Sequence, residues 1–450
     1  MQSSPRNPDV ELRLSLFAEL AESALAQARA AGADQAEVSL SEGRSLAVGV
    51  RLGELERFES GTSVDFSITV YLRGRTGSAS SNDLSRESLA ACIARALDIA
   101  RATEPDPAAG LPDPEDLARD WPELDLWHPW ALEPEEAIAI ARRCEQAGLS
   151  QGGIRNSEGA QLDSAEVFGV HANTHGFLAP FRGTQHSLAC SLLAGEGERM
   201  QRDAHYTAAR RPEDLEDAES VGRRAAERAL QRVGARPIPT GRHPVLFDAE
   251  VAASLIAHLV HAASGAALYK KASFLVGALD RALFPGWLSL VERPHRRRGA
   301  ASAAFDAEGV ATREQPLIEN GRLVRYLLSS YTARKLGMRT TGNAGGVFNL
   351  ELVGGQGDRE SLMRSMGRGL LVTELMGQGV NLVTGDYSRG AAGFWVEDGA
   401  IAFPVEEVTV AGHLPAIFAG VAAAGADLDR RGSIQVGSLL VEGMTIAGRD

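Results

Sequence analysis

Cysteine is scarce in this sequence, and long apolar runs are missing. Three thiols occur, Cys92, Cys144 and Cys190, all ahead of residue 191. An odd, widely spaced set excludes a disulfide framework and a CxxC zinc ribbon, and it fits a reducing compartment. No stretch approaches the roughly 20 apolar residues that span a bilayer. The longest soft segment, residues 414–426, is Ala/Gly-rich and too short. Residues 1–13 are polar and mixed in charge, without the apolar centre of a signal peptide. The expectation is a cytoplasmic chain with no membrane partner. Basic charge is also in deficit: 46 Lys and Arg stand against 59 Asp and Glu, a net charge of -13. That balance repels phosphate backbones, so no nucleic-acid partner is expected. The one basic run, Arg296-Arg297-Arg298, reads as a solvated loop.

Catalytic motifs are absent too. No G-x-x-x-x-G-K-[ST], no G-x-G-x-x-G after a strand and no G-x-S-x-G occurs; GDYSRG at 385–390 is one residue out of register for the last. A helical His-Glu pair with a second His would place two nitrogen ligands on a zinc and a general base beside its water. None of the ten histidines is followed by glutamate, so neither HExxH nor HExxxH exists in any register.

What remains is an ordinary globular composition with 44% apolar residues and a length suited to two or three domains. Residues 14–31 have helical periodicity and end at Gly32. Apolar-alternating runs follow at 37–40, 46–51 and 63–72, the last with Val64, Phe66, Ile68, Val70 and Leu72 on one face. A helix is predicted over 85–102 with Ser85 as its N-cap. Residues 103–129, rich in Pro, Asp and Trp, read as an irregular connection. A second cycle then begins: helix over 134–147, strands over 160–173 and 176–195, and a charged helix over 212–233. Helix, strands, helix appears twice, which suggests either an internal duplication or an ordinary mixed domain.

Residues 234–241 hold two prolines and two glycines and make the best linker. Beyond them one Ala-rich helix, 251–264, precedes Gly-punctuated strands at 287–292, 315–319, 323–328, 393–396, 401–404, 408–411 and 437–441. Helical interruptions are expected at 331–336, 358–366 and 414–424. The fold class predicted is α+β. An N-terminal α+β domain (1–235) precedes a C-terminal domain (242–450) built on a curved, mainly antiparallel sheet.

Four strings carry a family resemblance: VLFDAEVAASLIAHLVHAASGAALYKKASFL (245–275), FDAEGVATR (305–313), YLLSSYTARKLGMRTTGNAGG (326–346) and GVNLVTGDYSRGAAGFWVEDGAIAFPVEEVTVAGHL (379–414). Here the chain resembles the TldE, or PmbA, branch of the TldD/TldE metalloprotease family. The likeness is dense over about 200 C-terminal residues and consistent in layout before them. It implies a two-chain peptidase whose TldD-like subunit bears zinc on an HExxxH helix and a later cysteine, and takes peptides in extended form. Maturation of a peptide antibiotic and degradation of an antitoxin are the family's roles, and an older family label speaks of DNA gyrase. Anchored on Gly265, the HExxxH positions fall on Ile256, Ala257 and His261, and the cysteine falls within 429–437, which has none. The resemblance therefore implies a subunit without catalytic residues or cofactor of its own, partnered by a zinc-bearing chain. Alone it would be inactive, or would form a homodimer.

Two further readings stay open. At 100° per residue His258 and His261 share a helix face with Ser254 and Ala257. With Asp248, Glu250 or His295 as a third ligand they would make a self-sufficient homodimeric metallohydrolase. A non-enzymatic gyrase regulator is the other alternative. For substrate or partner contact the candidates are Asn343, Gly345 and Gly346, where backbone could approach a peptide closely, or could merely turn. Tyr387, Ser388 and Arg389 join them, in what reads as a loop with exposed polar tips. Trp395 reads as core or interface.

Overall fold

The computed structural model describes residues 8–448, so the first seven residues of the polar N-terminal stretch lie outside the described residues. The first half runs α1 (Pro8–Ala30), β1 (Gln35–Arg51), β2 (Glu54–Leu72), β3 (Arg75–Ser81), α2 (Arg86–Ala102), α3 (Pro134–Leu149), β4 (Ile154–Asn173), β5 (Leu178–Ala194), β6 (Gln201–Ala209) and α4 (Ala218–Gln231). Its six strands form one antiparallel sheet in the order β3-β2-β1-β4-β5-β6. Two meanders thus meet back to back at β1 and β4, each with its own helix pair, the arrangement a duplicated unit produces.

Period-two alternation decides which face is covered. Even-numbered positions of β1 and β4, such as Val38, Leu40, Phe168 and Val170, are buried beneath α1 and α2. Val48, Val50, Ala160 and Leu162 are buried beneath α3 and α4. Odd-numbered positions Glu37, Ser39, Ser67, Thr69 and His171 point to the opposite, helix-free face. Ser85 caps α2 as expected, accepting from the Ser88 amide. The runs 37–40 and 46–51 prove to be one 17-residue strand, because Ser41 to Ser45 are carried by neighbours on both sides. The strands β3 and β6 lack an apolar alternation strong enough to announce them.

The second half comprises β7 (Gly241–Phe247), α5 (Ala249–Ala262), α6 (Gly265–Tyr269), β8 (Ser289–Glu292), β9 (Gln315–Glu319), β10 (Arg322–Leu323), α7 (Ser330–Leu336), β11 (Leu350–Val353), α8 (Arg359–Met366), β12 (Gly369–Met376), β13 (Val380–Asn381), β14 (Asp386–Glu397), β15 (Ala400–His413), α9 (Leu414–Ala419), β16 (Val421–Ala424), β17 (Ile434–Gln435) and β18 (Leu439–Ala447). The fold is α+β. Curvature goes further than expected: β12 pairs with β7, β7 with β18, β18 with β15, β15 with β14, and β14 again with β12, closing a ring. A second, five-stranded sheet, β10-β9-β8-β11-β17, packs beside it. Residues 324–328 leave the strand after Leu323, and the helix begun at Leu414 stops at Ala419 before β16.

Several expected loops turn out to be fastened. In the segment expected as linker, the Arg236 amide donates to the Pro404 carbonyl, its guanidinium lies 3.8 Å from the Phe403 ring centroid, and Ile238 enters the core. The run Arg296-Arg297-Arg298 is a clamp, contrary to its reading as a solvated loop. Arg296 binds Glu351, Arg297 reaches Asp125 at 3.2 Å, and Arg298 reaches Asp214 at 3.2 Å. The irregular connection between α2 and α3 seams the halves: Ala118 donates to the Gly309 carbonyl, and Asp106 receives the Tyr331 hydroxyl at 2.8 Å and Lys335 at 2.7 Å. All three cysteines are free and buried. No helix among the described residues is long and apolar enough to cross a membrane.

Candidate functional site

Helix α5 organises the site. Asp248 caps it by accepting the Glu250 amide, which satisfies one of the orphan donors of the first turn. Ala252, Leu255, Ile256, Leu259 and Ala262 form its buried stripe. Each fully buried Leu or Ile contributes roughly 1.5–3 kcal/mol, so this face anchors the helix. The opposite side, Ala257, Val260, His261 and Ser264, borders a cleft of about 770 Å³. Gly265 opens α6 where a Cβ would lie 2.4 Å from the Thr332 Cβ, so only glycine lets α6 approach α7 there.

The far wall is the 342–346 turn. Asn343 is 6% exposed, and its polar atoms are all engaged. Its Nδ2 donates to Glu292 at 3.0 Å and to the Gly346 carbonyl at 2.9 Å. Its Oδ1 accepts from Arg325 and from Thr341, both at 2.8 Å. Glu292 is buried and also holds Arg325 and the Phe348 amide. Asn343 therefore fastens the turn from within, while Gly345 and Gly346 present backbone to the cleft. Gly346 has φ +126 with open space where a Cβ would be, a conformation L side chains avoid.

The third wall is Ser433 and Ile434, from the 429–437 segment. The structure thus brings the helix face and the cysteine-equivalent segment together in one cavity. Their chemistry is sparse. Ile256 points into the core, Ala257 offers a methyl group, and His261 is the one imidazole in the lining; no carboxylate or thiol lines it. A resident zinc takes three or four protein ligands from His, Cys, Asp and Glu. One histidine with serine hydroxyls does not fit that requirement. Among the described residues no three His, Cys, Asp or Glu side chains gather in a group that could hold a metal.

His258 does not join His261. It stacks edge-on against Tyr387, with ring centroids 5.8 Å apart. Burial pulls its imidazole down to about 4, with smaller pushes from Arg389 and His261, so it is neutral at pH 7. The potential third ligands are committed elsewhere. Asp248 pairs with Arg359 at 2.9 Å, Glu250 with Arg228 at 2.8 Å and Arg431 at 2.7 Å, and His295 meets Thr312 at 3.1 Å.

Tyr387, Ser388 and Arg389 correct a loop reading: they lie in β14, paired with β13 and β15. The small residues Gly390 to Gly393 let β12, β14 and β15 lie close, where a Cβ on Gly393 would come 1.9 Å from the Leu371 carbonyl. Tyr387 is 2% exposed, its phenol raised to about 12 by burial, while Ser388 is exposed and Arg389 donates to the Leu375 carbonyl. Trp395 is buried in the core.

Sequence reasoning overlooked a second, larger cavity of about 1080 Å³ over the helix-free face of the first sheet. It shares Ser302 and Ala303 with the cleft. Glu37, His171, Asp306 and Glu308 line it. Its sequence signal lies in the polar odd positions of β1 and in FDAEG at 305–309, whose Asp306 turns the roof over them.

The PmbA/TldA metallopeptidase description matches in three successive parts: domain 1 over residues 36–100, the central domain over 127–233 and the C-terminal domain over 240–448. The chain belongs to this PmbA/TldD metallopeptidase family. Metalloprotease PmbA of Escherichia coli O157:H7 is 46% identical over 417 residues, 92% of this chain and 93% of that protein. A Metalloprotease PmbA homolog of Haemophilus influenzae is 41% identical over 92% of each chain. Among solved structures, a candidate modulator of DNA gyrase from Bacteroides thetaiotaomicron superposes with a TM-score of 0.91 at 28% identity, covering 96% of this chain and 98% of its own. TldE from Thermococcus kodakarensis shares the fold, with a TM-score of 0.84 at 21% identity, covering 95% of this chain and 100% of that one.

Proposed function

We propose that this chain is the TldE/PmbA-type subunit of a cytoplasmic two-chain metallopeptidase that cleaves extended or unfolded peptides, and that a TldD-like partner supplies the zinc. One observation carries the reading. The cleft where helix α5 meets residues 433–434 has only His261 as an ionisable lining group. Bond cleavage by this chain would need an activated water, and the lining offers neither a metal donor set nor a carboxylate base. Holding substrate needs less. The glycine turn at 345–346 presents main chain, and the outer side of β2 before Phe66, with no strand against it among the described residues, is an edge to which another strand could pair. Peptide-antibiotic maturation and antitoxin degradation are the substrate roles that go with this assignment.

Co-expression with a TldD-like chain bearing HExxxH tests it. The pair should hydrolyse unfolded casein, and each chain alone should not. Full activity of the partner without this chain would refute the assignment. A second reading, regulation of a DNA gyrase, draws on the description of the Bacteroides relative. Co-purification with gyrase in place of a TldD-like chain would favour it.

A further inference from the structure

The large cavity has a floor, a roof and an aromatic rim. Its floor is the helix-free sheet face, where register sets Glu37 opposite Thr69, and Ser39 between Ser67 and His171. Its roof is the segment from Ser302 to Glu308, and Trp121 stands at the rim, 37% exposed and 5.7 Å from Phe305 between ring centroids.

Two arginines line the cavity too, but Arg182 pairs with Glu11 at 3.0 Å and Arg210 donates to the Thr184 and Ala300 carbonyls, so neither is paired with Glu37 or Glu308. Glu37 receives the Tyr71 hydroxyl on Oε1 at 3.0 Å, and its Oε2 lies 4.0 Å from His171 Nε2. Glu308 accepts the Ser330 amide on one oxygen. Among the described residues no lysine or arginine pairs with either of these half-buried carboxylates, although arginines hold Glu42, Glu292 and Glu351. Glu37 and Glu308 are close enough to repel each other, and burial with that repulsion lifts the Glu37 carboxyl to about 7. His171 is nine-tenths buried, lines the cavity, and its Nε2 has no hydrogen-bond partner among the described residues. Burial pulls its imidazole down to about 4, so it adds no positive charge. Asp306 belongs to the scaffold: it accepts the amides of Glu308, Val310 and Ala344, the last from the turn that walls the other cleft.

Unpaired carboxylates under an aromatic rim suit a cation that brings both charge and apolar stem. The acids are not gathered into a metal-binding group. They are spread across a volume fit for an organic cation. The cavity also adjoins the α5 cleft across Ser302 and Ala303, so one extended peptide could touch both. We propose that this cavity is a subsite for a basic side chain, arginine or lysine, of a bound peptide, held between Glu37 and Glu308 with Trp121 at its mouth. The inference rests on the substrate-holding reading for the peptide's role. Its test needs neither partner nor proteolysis, so the two can fail separately.

The test is calorimetric titration of the purified full chain at pH 7.5 with acetyl-Ala-Ala-Arg-Ala-Ala-amide and with the same peptide carrying citrulline, which keeps shape and loses charge. The arginine peptide should bind at least about ten-fold more tightly. A double variant, Glu37→Gln with Glu308→Gln, keeps the acceptors for Tyr71 and Ser330 and should erase that preference. Should it fail to fold, Trp121→Ala at the exposed rim should weaken the arginine peptide about three- to ten-fold. Equal binding of the arginine and citrulline peptides would overturn the proposal, as would a preference untouched in either folded variant. Agmatine binding as tightly as the peptide would also overturn it, by showing a free amine to be the ligand.

Discussion

On one side of Ser302 and Ala303 lies a cleft with a single ionisable lining group, His261. On the other lies a cavity with Glu37, His171, Asp306 and Glu308. The two are neighbours in one molecule, yet ionisable side chains are sparse in the first and numerous in the second. In the first, the buried stripe of α5 and the Asn343 turn keep the walls in place although Ile256 and Ala257 offer no donors. In the second, the half-buried carboxylates of Glu37 and Glu308 have no cationic partner among the described residues, an arrangement that a cationic ligand would relieve. Under the function proposed above, the contrast separates holding from cutting, with little chemistry in one cavity and the polarity of a binding site in the other.

The largest predicted effect attacks the wall of the cleft. Glu292→Ala strands the buried Arg325 guanidinium and frees Asn343, so it should cost about 3–5 kcal/mol in chemical denaturation. A loss under about 1 kcal/mol would mean that the turn is held by something else. Next comes the cavity. Because the folded Glu37 carboxyl sits near 7, above its ordinary 4.5, the folded state holds a proton that the unfolded chain has released. Its stabilising share is complete below pH 4.5 and disappears as pH rises through 7. Glu37→Gln should remove that slope, so variant minus parent stability should climb between pH 4.5 and 8 by on the order of 3 kcal/mol. Parallel curves would contradict the burial of Glu37. The smallest effect belongs to His261. It is exposed, and His261→Ala should change stability by no more than about 0.5 kcal/mol. A loss of several kcal/mol would mark it as structural and blur the contrast between the cavities.

Much of this was legible in the residues. The His-Glu pair is absent in any register, and Ser85, Gly32 and the alternation from Val64 to Leu72 mark their elements correctly. The two helix-strand-helix cycles correspond to two meanders of one sheet. What escaped depends on contacts between distant segments. The strand β12 (GLLVTELM) is defined only by lying between β7 and β14, and the part of β14 before Gly393 hid behind small residues that allow close packing. Asn343 read as a contact residue because nothing local reveals Glu292 beneath it, 51 residues earlier. His258 and His261 looked like a pair because helical spacing ignores what each meets, Tyr387 for one and open cleft for the other. Glu37 went unnoticed because a strand glutamate is ordinarily solvated, and only the roof from Ser302 to Glu308 encloses it.

The separation of holding from cutting is tested most directly by measuring zinc and peptide hydrolysis together on the isolated chain and on its complex with a TldD-like partner. The account predicts well under one zinc and no turnover for this chain alone, and zinc with turnover for the complex. One tightly held zinc per isolated chain, with peptide turnover that disappears in His261→Ala, would contradict it.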